Sequence, residues 1–293
     1  MNATTRSLVS EFVGTFILVL FGCGAVHAGV LTGAQVGLWQ VAIVWGLGVM
    51  FAVYLCGGIS GAHINPAITI ALAFWGRFEW NRVAGYVAAQ VAGAFVAAAF
   101  LFVMFSGFLE KKEKDMGVKR GEPGSIVTAM CYGEFHPNPA GLPQDQPWSD
   151  AQWRKFQTLV PTSRALLTEV LATAILALVV FGVTDSRNTA APPPYLAPII
   201  IGLTVAALIS IAAPLTQACF NPARDFGPRL FTFLAGWGTA ALPGINGTSW
   251  LTVYIAAPIV GAVAGGGIYQ YALLPAFTVP QATLAPAAKQ RKS

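Results

Sequence analysis

The chain has 293 residues, of which 55% are hydrophobic and 10% charged, with a net charge of +5 and a mean hydropathy of +0.63. Soluble domains carry about 25% charged residues, so this composition excludes an ordinary soluble globule and specifies an integral membrane protein with room for a bundle of helices. The small excess charge sits mostly in loops and tail, which gives no footing to a nucleic-acid partner, and Cys23, Cys56, Cys131 and Cys219 show no metal-ligand spacing.

The first apolar run, Leu8 to Val30, is too long for the apolar region of a signal peptide and carries Glu11 inside it. It is expected to stay as an uncleaved first span. Six full spans are predicted, at about 8–28, 36–57, 83–107, 165–184, 195–214 and 250–274, each near the roughly 20 residues that cross a bilayer as a helix. After the second span comes Gly61-Ala62-His63-Ile64-Asn65-Pro66-Ala67, and after the fifth Ala218-Cys219-Phe220-Asn221-Pro222-Ala223-Arg224-Asp225. Asn is a favoured N-cap because its side-chain oxygen accepts from the first free amides. Pro at the next position has a preset φ and no amide to leave unpaired. The apolar runs that follow, Ile68 to Trp75 and Phe226 to Leu234, are too short to cross. They read as two half-helices that enter the bilayer and stop.

The chain repeats internally. Residues 11–20 (EFVGTFILVL) match 169–178 (EVLATAILAL) at five of ten positions, and Gly46-Leu47 returns as Gly202-Leu203 at the Asn65-to-Asn221 offset of 156. Tyr86, Gly93 and Ala94 return as Tyr254, Gly261 and Ala262, at an offset of 168. Each half holds three full spans, so the second copy lies upside down relative to the first, the inverted-repeat plan of transport proteins. Repeat 1 is placed at about 5–107 and repeat 2 at about 163–275 of a channel domain spanning 5–275. Arg6, Arg77, Arg82, Arg187 and the tail Lys289, Arg291 and Lys292 fall on one side, whereas the 29–35 loop opposite has no charge. Both termini are therefore expected in the cytoplasm. The polar 108–163 segment lies outside as a long loop, either functional or mobile. The Ala/Pro-rich 276–293 tail is expected to be disordered.

With its two Asn-Pro-Ala boxes, a Glu in the first and fourth spans and an inverted repeat, the chain resembles the major intrinsic proteins, the aquaporin and aquaglyceroporin family, over about residues 5–275. Within that family it is most similar to bacterial glycerol facilitators, through Ser60 to Ala67 (SGAHINPA), Asn221 to Pro228 (NPARDFGP), Leu234 to Gly238 (LAGWG) and Tyr132 to Pro139 (YGEFHPNP). The resemblance implies an all-α, aquaporin-like bundle of six transmembrane helices plus two re-entrant half-helices. It also implies a homotetramer with one pore per subunit, in the plasma (inner) membrane.

In that arrangement Asn65 and Asn221 meet at the pore centre, each followed by its Pro66-Ala67 or Pro222-Ala223. Each amide NH₂ is expected to face the permeant while the oxygen caps its helix. Two helix N-termini facing the lumen place positive partial charge there and repel cations and protons. Carbonyls of Ala62, His63, Ile64, Gln217, Ala218 and Cys219 are expected to line the channel, since unwound backbone at membrane depth is tolerated where it borders a wet cavity. The His63 side chain reads as a satisfied buried group. Arg224 is a fixed cation and multi-pronged donor in an apolar setting, where a charge is costly and functional.

Alignment with the facilitators places the narrowest ring at Trp45, Ile209, Ala218 and Arg224. Glycerol facilitators usually have Gly and a large aromatic where this chain has Ile209 and Ala218. The combination here resembles the nodulin-like intrinsic proteins of plants, which pass glycerol and uncharged metalloid hydroxides. Tyr254 stands where facilitators tend to have Pro. By the same resemblance Glu11 and Glu169 accept hydrogen bonds from loop backbone, and Asp225 fixes the Arg224 loop. The implied function is a passive channel for glycerol and other small uncharged solutes, with some water. A metalloid, urea or mainly water channel is the alternative, and a secondary active transporter the rival from another class. No enzyme activity, cofactor or metal is expected.

Overall fold

A computed structural model describes residues 1–34, 37–143, 146–242 and 249–278 of the chain. Among these, six helices are long and apolar enough to cross a membrane. The first half contributes α1 (Ala3–Thr32), α2 (Leu38–Ser60) and α4 (Trp80–Asp115), with the short α3 (Pro66–Phe74) between the last two. The 116–161 segment carries a small helix, α5 (Asp150–Gln157). The second half contributes α6 (Thr162–Val183), α7 (Ala197–Thr216) and α9 (Ser249–Phe277), with the short α8 (Pro222–Thr232) before α9. Residues 279–293 of the tail expected to be disordered lie outside the described residues.

Two boundaries differ from the sequence expectation. Most of the uncharged 29–35 connection is helix, because Ala28–Thr32 continues α1 as a wider turn before Gly33 ends it. More substantially, α4 runs on to Asp115, so 108–115 belongs to the helix and not to the loop. Hydropathy alone marked its end. The residues beyond, Glu110 to Asp115, are mostly strong helix formers, and Lys111 pairs with Asp115 one turn on at 2.5 Å. Lys112 and Lys114 in the last turn complement the helix dipole.

The inverted repeat is visible in the packing. α1 packs on α2 and α4, as α6 packs on α7 and α9, and α2 meets α7 where the halves join. At that crossing Gly46 and Gly202 face each other. A Cβ on either would lie 2.5 Å from the carbonyl oxygen of the other, so the backbones touch directly. The same economy recurs at Gly93 against the Phe12 carbonyl and Gly261 against the Val170 carbonyl, at matched repeat positions. Helices in lipid gain little from hydrophobic exclusion and associate through such small-residue contacts.

The 116–161 segment folds back onto one end of the bundle, here called the loop face. Trp148 lies against Gly124, and its backbone amide donates to the Met116 carbonyl at 3.0 Å. The Trp237 indole donates to Thr128 at 2.9 Å, and Arg120 grips Glu113 with two hydrogen bonds of 3.1 Å. Tyr132 and Phe135 are fully buried. At the opposite end Asp185 accepts from both Arg77 and Arg187 at 2.8 Å, tying the connection after α3 to the one after α6.

Candidate functional site

The backbone leading into each box is unwound and carries residues in the left-handed region: Ala62 (φ 47°) and Ile64 (φ 44°) in the first, Gln217 (φ 60°), Ala218 (φ 68°) and Phe220 (φ 52°) in the second. Such conformations cost a non-glycine residue on the order of 1 kcal/mol each and persist only where neighbours enforce them. The enforcing groups are two buried carboxylates. Glu11 accepts from the amides of His63 at 2.9 Å and Ile64 at 2.7 Å. Glu169 accepts from the equivalent amides of Cys219 at 3.0 Å and Phe220 at 2.9 Å. Ser60 and Gln90 also donate to Glu11, at 2.6 and 2.8 Å.

The two half-helices begin face to face. The Asn65 side-chain oxygen caps α3 through the Ala67 amide at 2.9 Å, and that of Asn221 caps α8 through Ala223 at 3.1 Å and Arg224 at 3.3 Å. Each side-chain amide then donates across the molecule: Asn65 to the Phe220 carbonyl and Asn221 to the Ile64 carbonyl, both at 2.8 Å. Asn65, Asn221 and Ile64 border one cavity, as expected of a channel lining, but each Asn amide also bonds the opposite box and the Ile64 carbonyl accepts one of these bonds. One hydrogen of each Asn is committed to the opposite box, and one remains.

Two cavities run into the bundle from its two ends. One, of about 560 Å³, passes Tyr195, Gly57 and His63 to reach both asparagines. The other, of about 650 Å³, opens on the loop face between Val30, Asn138 and Phe156. Trp45, Ile209 and Arg224 border both, so the neck between them lies at these three side chains. Ala218 borders the first cavity, which Ile209 also lines. The guanidinium carbon of Arg224 sits 4.3 Å from the Trp45 ring centre, an arrangement that favours a cation over an aromatic face.

The other predicted site residues occupy distinct roles. The His63 ring is 3.2 Å from the Thr69 hydroxyl and packs against Phe78 and Tyr86. Ala62 and His63 border the first cavity, whereas Gln217 borders the loop-face cavity instead. The Gln217 side chain fastens the loop, accepting from the Phe135 amide at 2.9 Å and donating to the Met130 carbonyl at 3.1 Å. The Cys219 thiol donates to the Asn221 carbonyl at 3.3 Å. Asp225 pairs with Arg229 and accepts from the Glu134 amide at 2.8 Å, so it reaches the Arg224 region through Glu134.

Sequence reasoning missed Glu134, which pairs with Arg224 at 2.5 Å, and the Tyr132 carbonyl, which accepts from Arg224 at 2.7 Å. Both belong to the YGEFHPNP stretch, but nothing in its spacing points to a partner some ninety residues away. Beside them, burial and the Arg229 charge push the His136 imidazole down to about 4, so the ring facing the Tyr254 hydroxyl at 3.3 Å is neutral at pH 7.

Comparison with known proteins follows the same lines. The family described as Major intrinsic protein matches residues 1–269. A glycerol uptake facilitator protein of Pseudomonas aeruginosa is 41% identical over 262 residues, covering 89% of this chain and 86% of that one. A propanediol uptake facilitator of Citrobacter freundii is 39% identical over 272 residues, covering 92% and 93%. The X-ray structure of the aquaglyceroporin from Plasmodium falciparum superposes with a TM-score of 0.76 over 96% of this chain and all of that one; at 24% identity it speaks for the fold alone. The chain belongs to the major intrinsic protein family.

Proposed function

We propose that the protein is a passive channel for glycerol and similar small uncharged solutes, with some water. The observation that carries this reading is the neck: two cavities entering from opposite ends meet at Trp45, Ile209 and Arg224. The neck offers an apolar ring for a carbon edge and a guanidinium for hydroxyls. Below it, the remaining amide hydrogens of Asn65 and Asn221 and the carbonyls of Ala62, His63 and Cys219 pass hydrogen bonds along. The N-termini of α3 and α8 converge there, a field that opposes cations and protons. Relatives named for glycerol and propanediol uptake support a polyol cargo.

The basic residues Arg6, Arg77, Arg82 and Arg187 support an orientation in the inner membrane with both termini in the cytoplasm and the loop face outside. Apolar side chains exposed on the bundle, Val103 at 77% and Ile211 at 74%, suit lipid and sister subunits of a homotetramer. Among the described residues no chain of ionisable groups runs along the two cavities, which supports downhill conduction without ion coupling.

The test is stopped-flow light scattering on proteoliposomes with water, glycerol, propane-1,2-diol, urea and arsenite. Glycerol flux should follow its own gradient in both directions and ignore sodium and pH gradients. Uphill accumulation driven by either ion would overturn the channel reading. A second reading, conduction of metalloid hydroxides or urea, is favoured by Ala218, which leaves space where an aromatic would stand. Arsenite or urea flux exceeding that of glycerol would establish it.

A further inference from the structure

Arg82 stands in the first turn of α4, at the end of the bundle opposite the loop face, half-buried against α1. One of its terminal nitrogens donates to the Ser7 hydroxyl at 3.3 Å and to the Tyr86 hydroxyl at 3.1 Å. Its guanidinium carbon lies 5.1 Å from the Phe78 ring centre and 5.4 Å from that of Tyr86. Uncharged groups alone therefore fix this side chain. Among the described residues Arg82 forms no ion pair, and neither does Arg6, next to Ser7 on α1. The hydrogens on its other two nitrogens likewise meet no acceptor among these residues. A guanidinium held in this way presents a fork that matches a phosphate.

The surroundings select the kind of phosphate. Four arginines, Arg6, Arg77, Arg82 and Arg187, lie at this end against two carboxylates, Glu79 and Asp185. Asp185 is already taken by Arg77 and Arg187. Next to this positive excess the surface is apolar. Val9 and Val13, one and two turns from Arg6 on α1, are exposed, as is Trp80 just before Arg82. Trp favours the level of the lipid headgroups, and basic pockets between helices suit anionic headgroups.

The contact also reaches inward. The Ser7 hydroxyl donates to the Ile59 carbonyl at 3.5 Å, and that of Tyr86 to the Ser60 carbonyl at 2.9 Å. Both carbonyls belong to the last turn of α2, where helical partners run out. The Ser60 hydroxyl donates to Glu11 at 2.6 Å, the carboxylate that holds the first unwound box.

We propose that Arg6 and Arg82 form a docking site for an anionic phospholipid, and that its binding steadies the end of α2 where the first box unwinds. The lipid phosphate engages the Arg82 fork, Arg6 adds a second positive charge, and the acyl chains lie along the apolar face of α1. Neither arginine borders either cavity, so the site is separate from the solute path.

The experiment is a thermal-unfolding titration of the delipidated full-length protein in detergent. The additives are dioleoylphosphatidylglycerol, zwitterionic dioleoylphosphatidylcholine and inorganic phosphate. Phosphatidylglycerol should raise the midpoint by about 4 °C more than phosphatidylcholine, as a ligand bound by the native state alone does. Inorganic phosphate at the same concentration should leave the midpoint unchanged. Arg82→Gln should remove most of the difference between the lipids, and Arg6→Gln, a change at an exposed side chain, should weaken it. Lys114→Gln, which removes an exposed charge at the loop face, should keep the difference whole. If Arg82→Gln fails to fold, the comparison of Arg6→Gln with Lys114→Gln decides, and equal responses in those two overturn the proposal. So do equal midpoints in the two lipids, a shift with inorganic phosphate as large as that with phosphatidylglycerol, or an undiminished difference in a folded Arg82→Gln.

Discussion

Replacing Glu11 by Gln is the sharpest probe of how the unwound backbone is held. Glu11 accepts from Ser60 and the His63 amide on one oxygen, and from the Ile64 amide and Gln90 on the other. Gln keeps one oxygen and presents an NH₂ where the other stood. If the NH₂ faces Ser60, the hydroxyl rotates to accept, but the His63 amide loses its acceptor. If it faces Gln90, that amide flips, but the Ile64 amide is left without one. Either way one buried backbone N–H is orphaned, at a cost of about 1–3 kcal/mol. The surviving bonds weaken from charge-assisted to neutral, adding about 1 kcal/mol. A total near 3 kcal/mol corresponds to a drop of several degrees in thermal midpoint. Glu169 has a thinner shell, because the repeat position of Gln90 is occupied by Pro258, so Glu169→Gln should cost less. Detergent-solubilised variants followed by fluorescence scanning and by liposome flux test this ordering. A Glu11→Gln protein with native midpoint but abolished flux would refute the account and assign the carboxylate a direct part in conduction.

Ala218→Phe should narrow the neck, since Ile209 has not receded to make room, and reduce glycerol flux more than water flux. Ile209→Gly in that background should restore glycerol, a non-additive pair because both side chains share one space, and an unchanged glycerol-to-water ratio in Ala218→Phe would refute this placement. Gly202→Leu should abolish stable protein, because its first side-chain atom would already lie 2.5 Å from the Gly46 carbonyl oxygen; a normal yield with a native gel-filtration profile would contradict that packing. At the opposite face, the hydrogen bonds from Arg187, with the Arg77 charge beside them, hold the Asp185 carboxyl well below its usual range. Its contribution is therefore fully present above the ordinary carboxylate pKa of about 4 and lost as pH falls below it. Thermal midpoints of Asp185→Asn should lose that part of the acid sensitivity, and an identical pH profile would count against the linkage.

What could be read in the sequence was local or repeated. Asn65-Pro66 and Asn221-Pro222 announce helix starts because capping is settled within three residues of chain. Glu11 and Glu169 stand out because a charge inside an apolar run is rare and these two sit at matched positions. The end of α4 was misplaced because hydropathy reports where lipid stops, whereas a helix stops where its hydrogen bonding does. The crossed bonds from Asn65 to Phe220 and Asn221 to Ile64 carry no signal, since any backbone carbonyl looks alike in sequence. Glu134 lay in a polar loop where an acid is ordinary. Only the folding of that loop onto α8 turns it into the partner of Arg224.

The crossed asparagine bonds bear on how such a chain is made. While only the first half has left the ribosome, Asn65 and the Ile64 carbonyl have no Phe220 or Asn221 to meet. A re-entrant segment in that state exposes unpaired polar groups at membrane depth, where each costs several kcal/mol. The nascent first half is therefore a client that must wait, with its lumen-side hydrogen bonds open, until α8 arrives. Co-expressing the halves as separate chains should recover the assembled pore, whereas either half alone should be cleared by membrane proteases.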